Sequence, residues 1–164
     1  LQTKTDDFEI KVNKRDLLKV QRMEATEKLH KADDLLNTAM ENAHNIVLAF
    51  VKESDAKYKE FVKKGTFKMM MCLPQRELII ECKNMLTGLT NNIALGIPQK
   101  IIDALSIAIT AFSTALDNSQ SVSQNEVAAI NALKLIEDEF DLLYKRTVAY
   151  LKTIISKNDW DNYF

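Results

Sequence analysis

Apolar residues recur at spacings of three and four through Leu18, Ala25, Leu29, Ala32, Leu36, Ala39, Ala43, Ile46 and Phe50. That is the period of a helix burying one face, and no Gly or Pro interrupts it before Gly65. A single helix from Asp16 to Lys63 would extend about 72 Å, against a diameter of about 40 Å for a compact domain of this size. Either the molecule is elongated or the pattern hides a break, and a break is the favoured reading. Asp33-Asp34 and Ser54-Asp55 are the natural places, because short polar side chains accept hydrogen bonds from the free amides of a new helix. The expected position is a kink or break near residues 30–34. Ahead of it, Asp7 to Asn13 alternates polar and apolar with period two. With no partner strand in the sequence, residues 1–13 read as an extended arm or a frayed first helix.

Beyond Gly65, the segment from Thr66 to Cys72 is rich in methionine and ends at Pro74. Helical spacing resumes from Gln75 to Leu89 through Leu78, Ile79, Cys82 and Leu86. Asn91, Asn92, Gly96 and Pro98 mark a loop, with Pro98 suited to a first helical turn. From Pro98 to Asp117 the polar residues fall on one narrow stripe, and Ile101, Leu105, Ile109, Phe112 and Leu116 occupy the rest. Asn118 to Ser123 reads as a linker, and Ser123 with Glu126 has the spacing of a capping box. A last helix then runs to about Ser156 on Val127, Ile130, Leu133, Ile136, Phe140 and Leu143.

These elements predict one all-α domain over residues 1–164, an antiparallel bundle of four or five helices with segment 98–117 central. The tail at 157–164 carries Trp160, Tyr163 and Phe164, which dock back on the bundle or anchor a partner. Composition points the same way. Three Gly and two Pro in 164 residues leave few hairpin turns or phosphate loops, against a β or α/β fold. With 22 basic and 23 acidic residues the chain lacks the basic surface that nucleic acid requires.

Candidate chemistry is sparse. Glu27-His30 and Glu41-His44 have the Glu-x-x-His spacing of di-metal carboxylate bundles. The histidines lie 14 residues apart, about 21 Å along one helix, so both pairs cannot reach one ion, and both histidines are expected on the surface. A di-metal enzyme is the remote alternative, and no metal or cofactor is expected. The chain has no Gly-x-Ser-x-Gly, His-Glu-x-x-His or Cys-x-x-Cys, so the reading is not an enzyme. Met69, Met70 and Met71 fill gaps at a helix end. The lysines from Lys52 to Lys68 are interleaved with Glu53, Asp55 and Glu60, as on a solvated face.

The chain opens at Leu1, which reads as a processed or trimmed start. The apolar, uncharged stretch Ala104 to Leu116 has 13 residues against the ~20 of a bilayer span, so no transmembrane segment is expected. Cys72 and Cys82 can form a disulfide if the chain turns at Pro74, which favours a secreted protein over a soluble cytoplasmic one. Between Gly88 and Leu133 only Lys100, Asp103, Asp117 and Glu126 are charged. An apolar stretch so thinly covered suggests a cavity for an apolar or lipid ligand, lined by Met70, Leu105, Ile109, Phe112, Ile136 and Phe140. The expectation is a small exported binding protein. The alternative is a protein–protein interaction module using an outer helix face or the aromatic tail.

Overall fold

A computed structural model of the chain describes residues 2–154, with side chains from residue 6 onward. The aromatic tail at 157–164 lies outside the described residues. The fold is all-α, as the periodicity predicts, with no strand among the described residues. Helix α1 is Gln2–Phe50, α2 is Phe67–Met71, α3 is Gln75–Asn91 and α4 is Gln99–Ile154. Short 3-10 turns at Ala56–Glu60 and Ile93–Leu95 complete the order. Contacts group the chain into two compact units: Met23–Ser121, the core unit, and a helix-pair unit made of residues 2–22 with 122–154.

Two expected interruptions do not occur, and the opening residues take the helical one of their two readings. Helix α1 is continuous through residues 30–34, because its length is not limited by the diameter of one domain: its two ends serve different units. Residues 2–13 are helical rather than extended. Of the apolar residues here Phe8 and Val12, four residues apart, are half-buried, while Ile10 is 65% exposed, so the local alternation yields to a helical face. Asn118 to Ser123 is no linker, since α4 runs through it with Asn118, Gln120 and Ser121 facing water. Glu126 does not close a capping box and instead pairs with Arg22 at 3.0 Å.

The break at Ser54-Asp55 is present. Asp55 takes the N-cap position of the first 3-10 turn, and its carboxylate accepts the Lys52 amide at 3.1 Å. Thr66 caps α2 by accepting the Met69 amide at 3.3 Å. Gly65 and Gly96 hold φ of 68° and 90°, the left-handed region that glycine enters without a Cβ penalty.

The core unit buries Leu36, Met40 and Val47 of α1, Cys82, Met85 and Leu89 of α3, and Leu105 and Phe112 of α4 around Tyr58 and Phe61. The apolar half of α4 is long and apolar enough to cross a membrane by length and composition alone. Leu105, Ala108, Ile109, Phe112 and Leu116 of that half are buried in the core unit.

Gly88 sets how closely α3 approaches the first 3-10 turn. A Cβ there would overlap the Glu60 carbonyl oxygen and sit 3.1 Å from Phe61 Cα, both backbone atoms that cannot rotate away. Asn92 reinforces the approach, donating to Glu60 Oε2 at 2.8 Å and to the Gly88 carbonyl at 3.0 Å. Gly88→Ala is expected to destabilise the chain by about 2 kcal/mol or more through overpacking, although alanine is the better helix former. Urea unfolding followed by circular dichroism checks this, and an unchanged or raised midpoint would contradict it.

Candidate functional site

The buried polar chemistry of the core unit centres on His44. Its neighbours on α1, Ala43 and Val47, are buried, so the ring enters the interior rather than the solvent face expected for both histidines. Nε2 of His44 shares a hydrogen bond of 2.8 Å with the Tyr58 hydroxyl. The ring stacks on Phe67 at 4.0 Å between centroids and 5° between planes. Glu53 lies at the outer edge, its Oε1 3.4 Å from His44 Nε2 and 3.5 Å from the Tyr58 hydroxyl. Burial lowers the His44 pKa from the ordinary value near 6.5, and the Glu53 charge opposes this only in part. Burial, and next the Glu53 charge, push the Tyr58 hydroxyl up to about 12. Both groups are thus held neutral, and the cluster is a structural lock between α1 and the first 3-10 turn. The sequence signal for it was weak, because His44 lies 14 residues from Tyr58, across a loop.

His30 is exposed, as expected. Glu27 is exposed and paired with Lys31 at 2.6 Å, whose hydrogen bond and charge hold its carboxyl below the usual range. Glu41 is also exposed, and among the described residues no three His, Cys, Asp or Glu gather round a common point. Glu81 is buried with its Oε1 3.8 Å from Lys64 Nζ, and its Oε2 lacks a hydrogen-bond partner. Of the methionine run, Met69 is exposed, Met71 half-buried and Met70 fully buried.

The expected disulfide is absent: both cysteines are free. Cys72 is exposed at the C-cap of α2, whereas Cys82 is buried in α3, with its sulfur 3.1 Å from Met40 Sδ. Pro74 does turn the chain, but the turn leaves one thiol in water and sends the other into the core. Burial, with the Glu81 charge second, pushes the Cys82 thiol up to about 12.

The six residues expected to line one cavity divide between the two units. Met70, Leu105, Ile109 and Phe112 are buried in the core unit, each no more than 4% exposed. Ile136 and Phe140 belong to the helix-pair unit, where with Asp7 and Glu139 they border a space of about 60 Å³.

In the helix-pair unit, Phe8 meets Phe140 edge to face at 6.2 Å, and Arg22 pairs with Glu126. Advancing along α1 therefore means retreating along α4. The seam is thin, for among the described residues Leu133 and Glu126 are the buried side chains of this unit. Outside it, Leu17 and Val20 of α1 and Leu135, Leu142 and Tyr144 of α4 are between 49% and 67% exposed. Two clefts of about 400 Å³ flank the seam, one bordered by Lys11, Lys14, Leu18 and Ala128, the other by Arg15, Ile130 and Lys134. Comparison with family models, curated proteins and solved structures finds no match to this chain.

Two outcomes follow from the buried groups. Because folded His44 takes up its proton at lower pH than the unfolded chain, the unfolded state binds more protons below the ordinary histidine pKa. Stability is complete above that value and falls as pH drops toward the folded pKa. The urea midpoint is expected to decline from pH 7 to pH 5, with a shallower slope in His44→Gln; equal slopes would contradict the lock. For the thiols, Cys72 reacts rapidly with a thiol reagent in the native chain and Cys82 only after unfolding, without reductant. Two thiols unreactive until reduced would contradict the free pair.

Proposed function

We propose that the chain is a non-enzymatic interaction module whose helix-pair unit takes a protein against its outer apolar faces. One observation carries the reading: large apolar side chains on both helices stand in water while the seam between them buries very little. Apolar surface left on a helix pair marks where another helix or segment docks. In this reading the core unit, an antiparallel helical bundle centred on 98–117, is the folded support. The reading holds equally for an exported or a cytoplasmic chain.

A photo-crosslinking residue at Leu17 or Leu135, in cells that make the protein, is expected to yield covalent protein adducts. The same residue at Thr87, exposed on α3 of the core unit, should yield none. Adducts from Thr87 alone, or from no position, would remove the proposal.

A second reading, an apolar or lipid ligand, draws on the cleft in which Lys11 and Lys14 stand beside Leu18, Ala128 and Ala132. Two ammonium groups next to aliphatic side chains suit a long-chain carboxylate. Equilibrium dialysis decides it: stoichiometric uptake of a fatty acid, lost in Lys14→Glu, supports a carrier, and no uptake rules it out.

A further inference from the structure

The outer face of α4 is self-complementary about Leu142. At about 100° per residue, Leu135 and Leu142 lie about 200° round the helix from Leu133 and Phe140, which face α1. They are 67% and 49% exposed. Four residues before Leu142 stands Asp138; three and four after it stand Lys145 and Arg146. Seven residues before it is Leu135, and seven after it is the small, exposed Ala149.

From this symmetry we infer that residues 131–153 of α4 pair with the same segment of a second copy, antiparallel, across a two-fold axis at Leu142. In that register Leu142 meets its own copy and Leu135 packs over Ala149 of the other chain. Asp138 of each chain meets Lys145 and Arg146 of the other, on both sides of the axis. A parallel alignment would stack acid on acid and base on base, so charge selects the direction. The segment spans about 33 Å, one helix against one helix, which suits a reversible dimer rather than a permanent one.

The inference rests on the reading of the helix-pair unit as an interaction module and names its partner. Sedimentation velocity from about 5 to about 500 μM is expected to show a monomer passing to a dimer. Asp138→Lys, or Lys145→Glu with Arg146→Glu, should each weaken dimerisation about tenfold or more. Mixing those two charge-reversed chains should restore it as a heterodimer, an outcome that altered folding of either variant cannot mimic. For the register, Leu142→Cys in a Cys72→Ser background should form a covalent dimer under mild oxidation, and Leu135→Cys in the same background should not.

A chain that stays monomeric, charge-reversed chains that fail to pair with each other, or equal crosslinking at both cysteines would overturn the inference. The wider reading stands or falls separately. A crosslink from Leu135 to a different protein preserves the interaction module while removing the self-pairing, and no protein adduct from Leu17 or Leu135 removes both.

Discussion

A helix can cover only one side of another helix, and that constraint governs both units of this chain. The stripe on α1 from Leu36 to Val47 is enclosed because α3, α4 and the turn bearing Tyr58 and Phe61 all pack on it. In the helix-pair unit the described residues set one helix against one helix. Phe8, Leu133 and Phe140 lie on the seam, and apolar side chains about half a turn from it, such as Leu17 and Leu142, are exposed. The same amphipathic pattern therefore makes a closed core in one unit and an open surface in the other.

Much of the helical layout was legible in the residues. Spacings of three and four placed α3 and the apolar half of α4, Pro74 and Pro98 marked the helix starts that they precede, and Gly65 and Gly96 marked turns. The errors share one cause. The break near 30–34 was inferred from the size of a single domain and from Asp33-Asp34, and the linker at 118–123 from its polar run; in both places the polar residues are ones that a helix in water tolerates well. Asp34 illustrates this, since its carbonyl accepts the Thr38 hydroxyl at 2.9 Å within an unbroken helix. Periodicity reports which face is apolar; it does not report how many partners that face has.

Site residues were less legible, for a related reason. The pairing of His44 with Tyr58 and its stacking on Phe67 depend on a loop whose path no periodicity encodes. Cys72 and Cys82 look like a bridgeable pair until the turn at Pro74 points one thiol outward and the other toward Met40. The residues expected to line a single cavity all fell on apolar helix faces, which is what the pattern reveals. Their division between two units needed the tertiary contacts. The charge blocks around Leu142 were visible throughout, but their meaning depended on knowing that Leu142 points away from α1.

The account turns on whether the outer face of α4 becomes covered when copies of the chain meet. Amide hydrogen exchange read by mass spectrometry at low and high protein concentration measures this directly. Slower exchange confined to residues 131–153 at the higher concentration, with 75–91 of α3 unchanged, is the predicted result. Exchange across 131–153 that is identical at both concentrations would contradict it.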